Sequence, residues 1–390
     1  SAATISSQVR LRLLPRARCM FDEPVQVKAR RQVVTMRART TDDKGLVFSS
    51  SATYKADGSG EIDLERGSYA GVEPMGLLWS MRADTLHNRF IKTNSLNHHV
   101  VNFSVHEKAG EGRMLAEATN ERLLIGDRVN RHPIKGAYPG PFPALLDLYT
   151  FGGGLSEKRA SLLANRGFVV LTVALYGHDD MARNIKEVHL DYFEEAIEFF
   201  KKQDKVSVGV LSFSKTGDVA LSIASYLPGV EATVGINGCC ANTVLPFYHK
   251  KSQILPALMM DISKIVPTES GAFMCKNGMH NLLSEENKAT LVPIKQAKGR
   301  FLFVASEDDL NWDSKAYMDQ TVERLQRHGK DNFERVSYPA AGHYLEPPYG
   351  PYCPSSFHAF GAAEVHLWRK IQEFFRTHLS CDATQTKARL

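Results

Sequence analysis

The chain has 390 residues, of which 43% are hydrophobic and 23% charged, and carries a formal net charge of +5. Such a length exceeds one average domain, and such a composition belongs to an ordinary globular protein, so two domains are expected and a low-complexity or disordered chain is excluded. The longest apolar stretches are strand-length and end in Gly, Pro or charge, which excludes a membrane span.

Much of the positive excess lies in Arg10, Arg12, Arg16, Arg18, Lys28, Arg30, Arg31, Arg37 and Arg39. There is no long basic run and no interleaved aromatic pattern, so nucleic acid is not an expected partner, and most of these charges read as solvated surface. Cys19, Cys239, Cys240, Cys275, Cys353 and Cys381 show no CxxC spacing and no paired framework, which fits free thiols in a reducing compartment. The sequence starts at Ser1 rather than Met, which suggests a processed or engineered start.

From Val9 to about Val129, short alternating segments recur between turn signals such as Asp42-Asp-Lys-Gly45. Val25–Ala29, Val33–Arg39, Glu61–Leu64 and His99–Val105 have the period of two that predicts half-buried strands, and together they predict an antiparallel β-sandwich over residues 1–135. His98 and His99 are tempting as a metal pair, but neighbours on a strand point to opposite faces, so ordinary surface histidines are expected.

A Pro/Gly-rich stretch from Arg131 to Pro143 marks a change of texture, and the second domain is expected over residues 136–390. Strands are predicted at Ala144–Tyr149, Phe168–Ala174, Val206–Leu211, Ala232–Asn237, Arg300–Ala305 and Glu334–Tyr338. Helices are predicted at Glu157–Arg166, Val188–Lys202, from the serine-rich turn to Tyr226, and at Lys315–His328 and Ala363–His378. Apolar strands alternating with helices imply a mostly parallel, doubly wound sheet, an α/β class. Residues 237–300 form a long irregular insertion, expected to be a lid, a pocket wall or a cover over the domain's own core.

Ser214 sits where the strand Val206–Leu211 breaks abruptly into a helix, in the run Ser212-Phe213-Ser214-Lys215-Thr216-Gly217. A serine on so tight a strand-to-helix turn projects its hydroxyl above the sheet, the geometry of a nucleophile elbow, although the flanking glycines of G-x-S-x-G are absent. A serine nucleophile needs an imidazole to take its proton and a carboxylate to orient that imidazole. In an α/β-hydrolase sheet these follow in the order Ser, acid, His. The strand ending at Ala305 is followed by Asp308 and Asp309, and the strand ending at Tyr338 by Gly342-His343. Asp309 is the preferred acid, with Asp308 left open by the spacing. Gly152-Gly153-Gly154, directly after Ala144–Tyr149, is a candidate to supply backbone N–H groups to an acyl oxygen together with the N–H of Lys215.

These segments make a wider resemblance specific. Asp22-Glu-Pro-Val25, Leu64-Glu-Arg66, Glu73–Trp79, Gly152–Gly154, Tyr192–Ala196, Ile236-Asn-Gly238, Asp308-Asp309 with Asn311-Trp312, and Gly342-His343 with Glu346–Tyr349 run almost end to end. The chain resembles the type I acyl-CoA thioesterase family, which also includes the bile acid-CoA:amino acid N-acyltransferases. The resemblance implies a β-sandwich followed by an α/β-hydrolase domain, with Ser214, Asp309 and His343 as triad and the amides of Lys215, Gly152 and Gly153 as oxyanion hole. It implies hydrolysis of fatty acyl-CoA to fatty acid and CoA through an acyl-enzyme, with no metal and no cofactor, CoA being part of substrate and product. Two alternatives remain at this point. One is conjugation of the acyl group to glycine or taurine, for which the family's conjugating members typically carry Cys at the elbow; the other is acyl-CoA binding without catalysis.

The elbow departs from the family's G-x-S-K-G-G. Ser212 is small enough for the first glycine's place, whereas Thr216 is expected to overpack the strand–helix contact at a cost of roughly 1–3 kcal/mol. The segments Ser355–Val365 and Arg31–Val33 are shorter than the family's pattern. The terminal Ala388-Arg389-Leu390 is a conservative variant of the S-K-L address read by a peroxisomal import receptor, so a peroxisomal location is expected, with cytoplasm or mitochondrial matrix as alternatives.

Overall fold

A computed structural model describes residues 9–30, 33–57, 59, 61–63, 75–85, 89–107, 112–127, 129, 131, 142–149, 151–203, 207–268, 273–351 and 360–379. Ala388–Leu390, Leu64–Arg66, Arg31, Cys353, Cys381 and residues 355–359 lie outside the described residues. The chain divides into two compact units, residues 1–127 with 346–354 and 360–365, and residues 128–345 with 355–359 and 366–390.

The first unit contains β1 (Arg12–Leu14), β2 (Arg18–Met20), β3 (Gln26–Arg30), β4 (Val33–Thr41), β5 (Val47–Lys55), β6 (Glu61–Asp63), α1 (Gly76–Trp79), β7 (Arg82–Ala83), β8 (His99–Glu107) and β9 (Met114–Leu123). They form a three-stranded sheet in the order β1-β3-β6 and a six-stranded sheet in the order β2-β9-β8-β4-β5-β7. Val27 and Ala29 of β3 share one buried cluster with Met36 and Ala38 of β4, Phe48 of β5 and Phe103 of β8, so the two sheets enclose a common core. The alternation read from the sequence is the pleat itself, since Val101, Phe103 and Val105 face inward while Val100 and Asn102 face out. One pair departs from the antiparallel expectation: β2 runs parallel to β9.

His99 also departs from expectation. The pleat does put His98 and His99 on opposite faces, but His99 is buried, with its ring 5.1 Å from those of Phe21 and Phe90, and only His98 is at the surface. Alternation fixes that neighbours diverge; it does not say which of the two faces inward.

The second unit contains β10 (Ala144–Asp147), α2 (Lys158–Asn165), β11 (Val169–Thr172), β12 (Val188–His189), α3 (Leu190–Lys202), β13 (Val208–Phe213), α4 (Thr216–Tyr226), β14 (Val230–Ile236), β15 (Phe247–His249), β16 (Ser252–Leu255), β17 (Val266–Pro267), β18 (Phe273–Met274), β19 (Arg300–Ser306), α5 (Ser314–Arg327) and β20 (Phe333–Tyr338). The last helix among the described residues is α6 (Phe360–His378). Six strands form one wholly parallel sheet in the order β11-β10-β13-β14-β19-β20. Every side chain of β10 and β13 is buried, as expected where helices cover both faces of a sheet.

In α3, the buried positions Leu190, Phe193, Ile197 and Phe200 recur at helical spacing, and burying each contributes roughly 1.5–3 kcal/mol. The predicted start of that helix at Val188 is corrected to Leu190, because Val188–His189 pair with β15 as a short strand. The insertion is less irregular than its sequence suggests. It carries β15–β18, and its Phe247, Leu255, Leu258, Met279, Leu282, Val292 and Ile294 belong to the main core of this unit. Much of it therefore covers the domain's own interior.

Candidate active site

Strand order decides where a site can form. The chain runs from β10 to β11 on one side and then returns to place β13 on the other, so the order reverses between β10 and β13. At such a point the two loops leaving the C-terminal strand ends diverge and open a crevice. Phe151–Gly154 follow β10, and Ser214 follows β13.

Ser214 has a φ of 57°, the left-handed region that L residues rarely adopt, at a cost of about 1–3 kcal/mol. The turn holds it there. The Ser214 N–H donates to Ile236 O at 2.8 Å, and the Ser214 carbonyl accepts from the Gly217 N–H at 2.8 Å. Its hydroxyl is partly exposed, and Oγ lies 2.8 Å from Nε2 of His343. On the other side of the ring, Nδ1 of His343 lies 2.7 Å from Oδ2 of Asp309. A carboxylate only accepts, so Nδ1 is the donor to Asp309, and in the neutral ring this leaves Nε2 to accept from the serine hydroxyl.

The acid is fixed before it meets the ring. Asp309 is 1% exposed; Oδ1 accepts from the Asn311 N–H (2.8 Å) and the Trp312 N–H (3.3 Å), and Oδ2 from the Ser314 hydroxyl (2.5 Å). Asp309, not Asp308, is the hydrogen-bond partner of His343 Nδ1; Asp308 is only partly buried, and its backbone N–H donates to Ala341 O. His343 is 1% exposed, with Phe213, Trp312 and Tyr344 around its ring at centroid distances of 5.1, 5.9 and 5.4 Å. The three groups predicted from separate strand ends are brought together.

Asn237 carries no role in the sequence reading, yet it joins the pieces. It directly follows β14 with a φ of 51° and is wholly buried. Its side chain donates to His343 O (2.6 Å) and Ser306 Oγ (3.1 Å) and accepts from the Ser306 N–H (2.7 Å), while its carbonyl accepts from the Trp312 indole N–H (2.8 Å). The loops bearing His343 and Asp309 are thus tied to the strand beside the elbow. The only signal in the sequence is an Asn-Gly pair at a strand end, where Asn tolerates left-handed backbone.

Thr216 is wholly buried, and its hydroxyl serves the turn: Oγ1 accepts from the Phe213 N–H at 2.8 Å, and Phe213 O (2.8 Å) and Tyr149 O (3.0 Å) are in reach of its proton. Ser212 is buried too, donating to Val234 O at 2.7 Å.

Of the three consecutive glycines, Gly154 is not a free donor. Its φ is 86°, and its N–H donates to Tyr176 O at 2.7 Å. The N–H groups of Gly152, Gly153 and Lys215 have no acceptor among the described residues. Gly152 and Gly153 are exposed, and the turn that precedes them is set by Asp147, which accepts from the Tyr149 N–H and forms a buried ion pair with Arg159.

Beyond the geometry, relatives are evident over nearly the whole chain. Residues 22–136 match the acyl-CoA thioester hydrolase/BAAT N-terminal region, and residues 188–381 match the BAAT/acyl-CoA thioester hydrolase C terminal. Acyl-coenzyme A thioesterase 6 of Homo sapiens is 39% identical over 406 positions, covering 94% of this chain and 96% of that protein. The chain belongs to the acyl-CoA thioester hydrolase/BAAT family. Another member, mitochondrial acyl-coenzyme A thioesterase 2 of Homo sapiens, is 37% identical over 405 positions, covering 94% of this chain and 84% of that protein. Among solved structures, Pyrococcus horikoshii acylaminoacyl peptidase has a TM-score of 0.43 at 13% identity, covering 92% of this chain and 48% of that one.

Within this family member, the described residues include no helix long and apolar enough to cross a membrane. Among the described residues, Cys19, Cys239, Cys240 and Cys275 are free thiols.

Proposed function

We propose that this protein is an acyl-CoA thioesterase in which Ser214 is the nucleophile, His343 the general base and acid, and Asp309 the group that orients the imidazole. The observation that carries the reading is His343, whose two ring nitrogens lie 2.7 Å from Asp309 and 2.8 Å from a serine hydroxyl on a left-handed turn. Similarity over nearly the full length to proteins named acyl-coenzyme A thioesterases supports a CoA thioester as substrate.

In this mechanism Nε2 of His343 takes the hydroxyl proton as Ser214 Oγ attacks the thioester carbonyl. The N–H groups of Lys215, Gly152 and Gly153 receive the developing oxyanion. Collapse breaks the C–S bond, CoA leaves with the proton from Nε2, and an ester to Ser214 remains. Water, deprotonated by the same nitrogen, attacks that ester; the acid departs and Ser214 recovers its proton. Acyl transfer from sulfur to oxygen to water is redox-neutral, so these steps call for no electron carrier. A serine at the elbow supports water over an amine as the second acceptor.

The test is palmitoyl-CoA turnover followed by thiol release, with mass detection of free acid and of glycine or taurine conjugates when those amines are supplied. Ser214→Ala is expected to lower turnover by roughly three to six orders of magnitude, with free palmitate the product of the unaltered enzyme. Unchanged turnover in that variant would overturn the nucleophile, and conjugates outpacing free acid would overturn hydrolysis.

A further inference from the structure

Lys215 follows Ser214 in the chain, and its side chain turns inward, only 9% exposed. Burial and the helix end both disfavour a cation there. Lys215 caps the N-terminus of α4, where the helix macrodipole is positive and disfavours a further positive charge. Taking an ammonium out of water costs several kcal/mol more unless it is paired and hydrogen-bonded. A lysine retained there needs partners, and the fold supplies three.

Nζ donates to Oδ1 of Asp218 at 2.6 Å and to Oδ1 of Asn242 at 3.2 Å, and it lies 5.8 Å from the centroid of the Phe151 ring. Asp218 is wholly buried one helical turn along α4, and its Oδ2 accepts from both the N–H (3.2 Å) and the hydroxyl (2.7 Å) of Thr243. Asn242, also wholly buried, directs its amide protons to Leu245 O (2.8 Å) and Pro256 O (3.1 Å). One ammonium therefore engages the first turn of α4, the Asn242–Thr243 segment, and the residue that opens the glycine loop.

Two of those three segments carry the N–H groups left without an acceptor: Lys215 at the elbow, and Gly152 and Gly153 directly after Phe151. Hydrogen-bond donors stabilise an oxyanion only if they are already in place when charge develops, so whatever fixes their mutual position acts on the rate. Burial pushes the Asp218 carboxyl up from its ordinary range, and Lys215 and Thr243 oppose that shift.

We propose that Lys215 is a positioning residue: its buried ammonium, through Asp218, Asn242 and Phe151, locks the elbow amide and the glycine-loop amides into one oxyanion-binding arrangement. The inference deepens the proposed reaction and rests on Ser214 being a nucleophile, though not on the substrate being a CoA thioester.

The test uses the full chain and a fluorophosphonate probe, which needs no acyl-CoA. Ser214 Oγ would displace fluoride from phosphorus while the phosphoryl oxygen occupies the oxyanion position. Lys215→Met retains the backbone N–H and is expected to slow labelling by about 10–100-fold, a fraction of what deleting a whole donor costs. Because that variant leaves Asp218 buried without its cation, Lys215→Met with Asp218→Asn is made alongside it, removing both charges while keeping an acceptor for Thr243. The double variant is expected to fold and still label slowly, with kcat for palmitoyl-CoA lowered in parallel and KM within about threefold of the parent value. Lys315→Met, which breaks a surface pair with Asp319, is expected to label at the parent rate. A folded double variant that labels within about twofold of the parent would overturn the positioning role alone. Labelling of the parent that Ser214→Ala abolishes, in a protein that releases no CoA, would overturn the thioesterase reading alone.

Discussion

Gly217 and Gly238 meet where neither has room for a side chain. A Cβ on Gly217 would lie 2.8 Å from Gly238 Cα, and one on Gly238 would lie 3.1 Å from Gly217 Cα. The first turn of α4 is thereby pressed against the turn that follows β14, whose Ile236 carbonyl also holds the Ser214 N–H. The close approach that the usual elbow motif assigns to a glycine two residues after the serine is made here by the glycine three residues after it.

Gly217→Ala should therefore separate α4 from that turn and move the Lys215 amide with it. We expect about 1–3 kcal/mol of lost stability from overpacking, read by urea unfolding, and a fall in kcat of about tenfold or more. Wild-type kcat in this variant would show that the elbow tolerates the displacement.

Thr216 yields a prediction opposite in sign to the one its bulk suggests. Thr216→Val keeps the shape but removes the acceptor for the buried Phe213 N–H and the link to Tyr149 O. Leaving one buried donor unsatisfied costs about 1–3 kcal/mol, so the urea midpoint should fall. Thr216→Gly should also lower stability, and an increase in either variant would mean that the hydroxyl contributes nothing.

The difference between these two neighbours shows what the sequence could convey. The strands β10, β13 and β19 were legible because a strand covered on both faces is apolar at nearly every position. Ser214 and Asp309 were legible because each stands just past such a strand, and His343 because it follows the next strand, β20, in the fixed chain order. Hydrogen-bond economy was not legible: that Thr216 has backbone partners, that the Gly154 N–H is occupied by Tyr176, and that Asn237 ties Ser306, Trp312 and His343 together all depend on segments distant in sequence. His99 failed for a related reason, since only the packing of Phe21 and Phe90 decides which face of its strand is interior.

The choice between the two adjacent acids can be tested directly. Asp309→Asn keeps the volume but replaces the acceptor beside His343 Nδ1 with a group that also donates, which favours the wrong tautomer. We expect turnover of palmitoyl-CoA to fall by roughly three to four orders of magnitude, while Asp308→Asn stays within about threefold of the parent. Equal effects at the two positions would contradict the geometry around Oδ2.

Asp43 offers a pH-dependent prediction in the first unit. Burial alone pushes its carboxyl up, but the Lys92 ammonium and the N–H groups of Asn94 and Thr93 outweigh that and hold it below the ordinary value of 3.8. Nζ of Lys92 lies 2.7 Å from Oδ1, with side-chain exposures of 2% for the lysine and 16% for the aspartate. A carboxyl whose pKa is lower folded than unfolded binds fewer protons in the native state across the interval between the two values. Its contribution is therefore fully present above the unfolded value and is lost as pH falls through the folded one. Asp43→Asn should cost about 1–2 kcal/mol near neutral pH, less than a fully buried pair because water reaches the aspartate. Urea unfolding of both proteins from about pH 6 down to about pH 2 should show the gap between them closing on the acid side. A gap that stays constant across that range would mean that the Lys92 pair does not hold the carboxylate in the folded state.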